Sequence, residues 1–453
     1  MPNLSTEQIE QNFAEIHPLM TRAEAAVEAN RCLYCYDAPC MHACPTHIDV
    51  PGFIKKIASG NLVGSARVIF DANPIGSTCA KVCPVEVLCE GACVEKTLVA
   101  KPIEIGRLQR YATEHVLESG KALFEQGAPN GKSVGVIGSG PAGVSCAMYL
   151  ARLGYDVTIY ERREKPGGLD TYGMAEYKMT QADSLAEVAN LEKLGVKFRL
   201  NTSITSAVNL SSDSDVPSAS HELFSDLVQS HDAIFVGVGL GATRMLDIAG
   251  EGLRGVYDAL RFIEKVKTRD WRSVPIAKTV AVIGAGNTAI DAVTQAKRLG
   301  AEHAILIYRR SEKEAPAYDY EKELAKSDGI EFEWNASPTR ILSNGNGSVA
   351  GIACRRADGT EFEVACDVVV KAIGQTKMRS FFTDVCEVDT DDAGRVVVNE
   401  HMQTSNPKVF AGGDCVNGGG EAVEAAQMGK LAAQGIHSAL TGESVSFAGG
   451  SLR

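Results

Sequence analysis

The sequence predicts an α/β protein in which a helical N-terminal region precedes two Rossmann-like dinucleotide-binding units. Three observations carry that expectation. From Ser133 onward, β-branched runs alternate with helical segments, the pattern of doubly wound α/β structure. The pattern begins twice, at "SVGVIGSGPAGVSCAMYLARLGYDVTIYERR" and at "TVAVIGAGNTAIDAVTQAKRLGAEHAILIYRR", each time as strand, glycine loop, helix and strand. Before Glu118 the alternation is absent, and helix-like runs such as "TRAEAAVEANRCL" and "PIEIGRLQRYATEHVLES" surround clustered cysteines. The expected domains are residues 1–118, then 119–241 together with 376–453, and 242–375.

Between these blocks the punctuation is local. "EQGAPNGK" reads as a linker, the Ser/Asp-rich "NLSSDSDVPSASH" as a solvated loop, and "SNGNGS" and "RRADGT" as turns between strands of the second unit. A chain of 453 residues with 45% hydrophobic and 23% charged residues has ample material for buried cores. Its net charge of -12 argues against nucleic acid or an anionic membrane as the main partner. No apolar stretch approaches the roughly 18 residues of a membrane span, and the N-terminus lacks a basic start followed by an apolar run. A cytoplasmic protein is expected.

The first glycine loop, "GSGPAG", comprises Gly138, Ser139, Gly140, Pro141, Ala142 and Gly143. Its first glycine permits a tight turn, its second lets backbone approach a pyrophosphate, and its third lets helix and strand pack closely. Free N–H groups at the helix start face the anion, and Glu161, ending the next strand, can accept from ribose hydroxyls. In the second loop Gly284 and Gly286 are followed by Ala289 in the third glycine position. Its second strand ends in Arg309 and Arg310, where an acid would otherwise meet the ribose. Guanidinium groups there can pair with the 2′-phosphate of NADP, which favours NADP(H) over NAD(H); a solvated basic strand end is the alternative.

Two such units in one chain have a chemical logic. A nicotinamide gives up an electron pair as hydride, and a flavin accepts the pair and releases electrons singly. FAD is therefore expected in the first unit and the nicotinamide in the second. Near the C-terminus a β-branched strand leads into Gly412, Gly413 and Asp414 and then a helix. This is similar to the closing motif of two-dinucleotide flavin reductases, in which the Asp contacts the FAD ribityl chain; a glycine turn with an Asp N-cap is the plain alternative.

Of 13 cysteines, eight fall between Cys32 and Cys93. The first four are spaced C-x2-C-x4-C-x3-C-P (Cys32, Cys35, Cys40, Cys44), and the second four are Cys79, Cys83, Cys89 and Cys93. Disulfides are disfavoured in a large chain expected inside the cell. Two structural zinc sites remain an alternative, but zinc knuckles usually pair C-x2-C units that close locally. The Cys-Pro pairs and mixed gaps favour two [4Fe–4S] clusters, where one cysteine of a run often serves the other cluster.

On "CLYCYDAPCMHACPT", "NPIGSTCAKVCPVEVLCEGAC" and "IGRLQRYATE" the whole chain resembles the flavin and iron–sulfur portion of dihydropyrimidine dehydrogenases, and more broadly the glutamate synthase small-subunit family. The resemblance implies interleaved clusters, one on Cys32, Cys35, Cys40 and Cys93, the other on Cys44, Cys83, Cys89 and the amide of Gln109. Cys79 falls at a position that is not a ligand. Glutamate synthase small subunits carry Glu where Gln109 stands and lack the "DAPC" run. Without the resemblance Gln109 reads as a surface helical residue, since amide oxygen is a poor iron ligand beside thiolate.

The resemblance further implies FAD contacts at Gly168, Leu169, Lys178 and Ile204, with Lys178 replacing the Arg of animal enzymes. It implies nicotinamide contacts at Ala285, Gly286, Asn287, Thr288, Ala372, Ile373 and Gly374. A third basic contact after the Arg pair is missing from "SEKEAPAY". The expected path runs from NAD(P)H to FAD and through the two clusters, with no side chain in an acid–base role. The chain ends at Arg453 without the FMN barrel of the single-chain enzymes, so an FMN and iron–sulfur pyrimidine-reducing partner subunit is expected, in a hetero-oligomer, as a heterotetramer. A glutamate synthase electron donor and a non-enzymatic redox sensor with structural clusters are the competing readings.

Overall fold

A computed structural model describes residues 4–206 and 220–448; most of the expected Ser/Asp-rich loop lies outside the described residues. The chain forms two compact units, one of residues 17–171, 182–206, 220–240 and 377–448, the other of residues 4–16, 172–181 and 241–376.

The first unit is built on a parallel sheet in the order Val409–Ala411, Ala233–Val236, Ser133–Ile137, Asp156–Tyr160 and Lys197–Arg199. The central strand Ser133–Ile137 is buried from Val134 onward, as expected of a parallel strand covered on both faces. One covering layer pairs the helix Pro141–Arg152 with the 20-residue helix Ala422–Thr441. Their approach is close enough that Ser145 Oγ donates to the Ala426 carbonyl at 2.6 Å. A Cβ on Gly429 would lie 2.1 Å from the Ala142 carbonyl oxygen, so only glycine fits there.

The helical region belongs to this same unit. Its core is formed by the apolar faces of Val50–Ala58, Leu62–Ala72 and Ile105–Ser119, including Phe53, Ile54, Ile69 and Leu108. Side-chain caps set where the helices begin: Thr21 and Glu24 form a capping box, Asp49 accepts from Gly52 N, and Asn61 accepts from Gly64 N. The region is tied to the sheet layer at Tyr149, whose hydroxyl donates to the Asp71 carbonyl at 2.9 Å.

The second unit repeats the theme with a parallel sheet ordered Glu331–Glu333, His303–Ile307, Thr279–Ile283, Val368–Lys371 and Val256–Asp258. An antiparallel meander of Ser337–Ser343, Val349–Arg355 and Glu361–Ala365 is turned by the "SNGNGS" and "RRADGT" segments. The N-terminal helix Thr6–Asn12 also packs in this unit. Phe13 stacks on Trp271 at 5.0 Å between centroids, and Trp271 Nε1 donates to Glu10 at 2.9 Å.

Candidate cofactor sites

The cysteines sit where helices stop and start. Cys32 caps the C-terminus of Arg22–Arg31, Cys83 that of Gly76–Val82, and Cys93 the N-terminus of Val94–Val99. These turns bring Cys32, Cys35, Cys40 and Cys93 to the wall of one small apolar cavity, with Val50 and Ile54 behind them. A second cavity is lined by Cys44, Cys79, Cys83, Cys89 and Gln109, with Val423 at its edge. The interleaving is therefore present in space, with Cys93 beside the first run and Cys44 beside the second.

All eight thiols are free. Burial pushes the Cys40 thiol up to about 12 and raises Cys89; a hydrogen bond with Cys79, then burial, raises Cys83. Thiols so placed lose their protons only to a bound cation, which suits metal-centre ligands. Among the described residues no three His, Cys, Asp or Glu side chains converge as a site for a single ion. A [4Fe–4S] cluster instead takes one protein ligand at each iron, so its ligands ring a cavity, and both thiol sets fit it.

The second cavity offers one candidate ligand too many, and the hydrogen bonds separate them. Cys79 Sγ accepts from the Asn73 amide at 3.1 Å, and Asn73 in turn accepts from Ile75 N. Gln109 is 6% exposed, which corrects its reading as a surface residue. Its Nε2 donates to the Gly76 carbonyl at 2.6 Å, which leaves Oε1 as the atom that can face iron. Helix Gly76–Val82 is held from behind by the buried Glu187, which accepts from Ser77 N at 2.6 Å and Thr78 N at 2.9 Å. Sequence reasoning missed Glu187, since nothing local links residues so far apart in the chain.

The first glycine loop is closed on itself by Glu161. This buried carboxylate accepts from Ser139 N (3.0 Å), Ser139 Oγ (2.6 Å) and Arg163 N (2.9 Å). A carboxylate has about four acceptor positions, so ribose hydroxyls can still be taken on. Gly138 has φ +95°, and a Cβ on Gly140, the N-cap of the Pro141–Arg152 helix, would meet only the Gly168 Cα, at 4.0 Å. Gly168, at φ +58°, faces Gly140 so closely that a Cβ there would come within 2.7 Å of the Gly140 Cα. This is a cradle that side chains would fill and a pyrophosphate fits.

The C-terminal glycine turn joins that cradle. A Cβ on Gly413, at φ +79°, would lie 3.1 Å from the Ala142 Cβ. Asp414 accepts from Gly420 N at 3.1 Å, and burial raises its pKa. Leu169 starts the short helix Leu169–Tyr172 and is exposed, and Ile204 lies on the strand Thr202–Thr205 against the apolar layer beneath the sheet. Lys178 folds with the second unit. Its ammonium is held by Asp291 at 2.7 Å and by Glu321, and Tyr177 also donates to Asp291.

In the second unit the glycine loop opens onto a cavity of about 710 Å³. Gly284, Ala285, Gly286 and Thr288 line one side, Ala372, Ile373 and Gly374 another, and Arg309 a third. Arg310 and Asn287 are not in its wall. The Arg310 carbonyl accepts from Asn335 N, and Asn287 Oδ1 accepts from Tyr318 N at 3.1 Å. Arg244 and Lys371 line the cavity and were not expected from sequence. Lys371 is neutralised by Glu251 (2.8 Å) and Asp258 (3.2 Å), which leaves Arg309 and Arg244 as the cations facing a dinucleotide.

Comparison with known proteins agrees with this geometry. Residues 87–244 and 132–429 match the pyridine nucleotide-disulphide oxidoreductase family, and residues 9–121 match dihydropyrimidine dehydrogenase domain II, 4Fe-4S cluster. The glutamate synthase [NADPH] small chain of Escherichia coli is 33% identical over 94% of this chain and 93% of its own. The NAD-dependent dihydropyrimidine dehydrogenase subunit PreT of the same organism is 32% identical over 96% of this chain and 98% of its own. Among solved structures, Lactococcus lactis thioredoxin reductase matches at TM-score 0.54 and 23% identity over 69% of this chain and all of that one. FprA of Mycobacterium tuberculosis, solved with NADPH, matches at TM-score 0.53 and 19% identity, over 70% of this chain and 87% of that one. These two likenesses establish the fold.

Proposed function

The chain belongs to the pyridine nucleotide-disulphide oxidoreductase family, and from that premise we propose that it is the electron-input subunit of a dihydropyrimidine dehydrogenase, working with a separate FMN and iron–sulfur subunit that reduces uracil or thymine. It is an NAD(P)H-dependent FAD and iron–sulfur electron-transfer protein. When bound, FAD and the [4Fe–4S] centres supply the redox chemistry, the flavin taking an electron pair and the clusters passing single electrons.

The chain's own residues bind and orient. The Gly138–Gly143 loop and Gly168 make room for the FAD pyrophosphate, Glu161 accepts from its ribose, and the Gly413–Asp414 turn lies against the start of the same helix. Cys32, Cys35, Cys40 and Cys93 hold one cluster, and Cys44, Cys83, Cys89 and Gln109 the second. Apolar side chains such as Ile54 in the first cavity and Ile48 in the second surround the thiols. In the second unit Gly284, Ala285, Gly286, Thr288 and the Ala372–Gly374 segment line the cavity that would take the nicotinamide cofactor, and Arg309, also in its wall, would pair with a 2′-phosphate.

The observation that carries the reading is the second cavity, where the buried Gln109, its Nε2 held by the Gly76 carbonyl, lines the wall together with Cys44, Cys83 and Cys89. The test is partner-dependent turnover. Purified protein is combined with a pyrimidine-reducing FMN subunit or with a glutamate synthase large subunit, and NAD(P)H oxidation is followed. Uracil-dependent oxidation is expected with the first. Oxidation only with glutamine and 2-oxoglutarate, with the second, would transfer the chain to the other reading, which the 33% identity to a glutamate synthase small chain supports.

A further inference from the structure

Lys430 is the feature these roles leave unexplained. It lies mid-way along the Ala422–Thr441 helix and is 1% exposed. Its ammonium donates to three carbonyls, of Ala72 (2.8 Å), Thr46 (3.0 Å) and Ala448 (3.1 Å), and stands 5.9 Å from the Tyr149 ring centroid. No carboxylate among the described residues forms an ion pair with it. Asp71, a carboxylate whose charge acts on it, is engaged by Arg152 at 2.6 Å. A buried ammonium without a counter-ion is costly, because carbonyl dipoles replace only part of its hydration. A lysine there solely to satisfy three carbonyls would be an expensive device.

Its surroundings supply the missing counter-charge. Thr46, whose carbonyl Lys430 holds, is itself fully buried, and its hydroxyl is 3.4 Å from Cys44 Sγ. Cys44 lines the second thiol cavity, and Val423, on the same helix as Lys430, lines it too. A cluster held there is anionic, and reduction adds one more negative charge. A fixed cation in a low-dielectric setting stabilises that added charge, and hydrogen bonds to ligand sulfur act in the same direction. Lys81, the other buried lysine of this region, is neutralised by Glu114 and Asp183 and cannot play the part.

We propose that Lys430 is a built-in electrostatic device that raises the reduction potential of the cluster held by Cys44, Cys83, Cys89 and Gln109, acting through Thr46 and the Cys44 thiolate. The proposal rests on the cluster assignment above. Burial lowers the lysine pKa to about 8, so the amine remains charged at pH 7.

The test is an EPR-monitored potentiometric titration at pH 7 of full-length, anaerobically reconstituted protein, as wild type, K430Q and K430R. A C32S/C35S background removes the other cluster and isolates the signal. Where the wild-type cluster is half reduced, the reduced-to-oxidised ratio in K430Q is expected to fall about tenfold, or 59 mV for a one-electron couple. K430R, which keeps the charge, should stay near wild type. In protein with Cys32 and Cys35 intact, the other cluster, held by Cys32, Cys35, Cys40 and Cys93, should keep its potential in both variants. An unchanged ratio in K430Q overturns the proposal. So does failure of both variants to hold this cluster or to fold, which would make Lys430 a strut for its carbonyls. Wild-type protein that assembles no cluster on Cys44 sinks the assignment itself, a result distinct from either.

Discussion

Glu187 gives the sharpest energetic expectation. Its carboxyl is buried in the first unit against the start of the Gly76–Val82 helix, the segment that delivers Cys79 and Cys83. Burial pushes its pKa from the ordinary 4.5 up to about 7, and the donors from Thr78 and Ser77 recover only part of the penalty. At about 1.4 kcal/mol for each tenfold change in proton affinity, that difference is worth about 3 kcal/mol. The sign follows from proton counting. Between pH 4.5 and 7 the folded protein holds a proton that the unfolded chain has released, so stability falls as pH rises through this window. Glu187→Gln removes the ionisation and keeps an oxygen acceptor for one of the two backbone donors, Ser77 N and Thr78 N, which bind different carboxylate oxygens. Urea unfolding of E187Q and wild type, followed by circular dichroism from pH 4.5 to 8, should show their stability difference moving by about 3 kcal/mol in favour of the variant. Any constant cost of the substitution cancels in that comparison. A difference that stays flat across the range refutes the reasoning, because the carboxyl would then ionise as freely in the fold as outside it.

Other expectations concern the cofactor sites directly. Gln109→Leu should remove the second cluster, halving iron and acid-labile sulfide, while Cys79→Ser should leave both unchanged; the opposite pattern would exchange their roles. Arg309→Ala should raise the KM for NADPH by roughly 10-fold to 100-fold, the worth of a charge-assisted hydrogen bond, and leave that for NADH nearly unmoved. Equal effects on both cofactors in steady-state kinetics would mean that Arg309 does not read the 2′-phosphate. Gly168→Ala meets the Gly140 backbone at φ +58°, so flavin absorbance per chain should fall several-fold with little change in the circular dichroism spectrum.

What could be read from the chain divides along the range of the forces involved. Glycine loops are local devices, and so are turns such as "SNGNGS"; each needs only residues within a few positions of one another. Arg309 and Arg310 mark the limit of that reading. Both lie beyond the end of the strand His303–Ile307, and only Arg309 lines the cavity; nothing in the sequence says which of the two does. Asn287 is a similar case, since its carboxamide is taken by Tyr318 N, 31 residues away. The burial of Gln109 was legible only through family resemblance. On a helix whose apolar face also carries Leu108 and Ala112, a glutamine gives no sign of turning inward.

The least legible feature is the one that relates the parts of the first unit. In sequence the cysteine region and the flavin loop look like separate domains, divided by a linker. In space the Ala422–Thr441 helix serves both. Its Gly429 and Ala426 meet the helix that follows the Gly138–Gly143 loop, while its Val423 reaches the second thiol cavity and its Lys430 binds the carbonyls of Thr46 and Ala72. These contacts span 281 to 384 residues of chain, too far for periodicity or spacing to register. One helix thus packs against both the helix that follows the flavin loop and the wall of the second thiol cavity, a link that only tertiary packing supplies and that no local pattern in the chain announces.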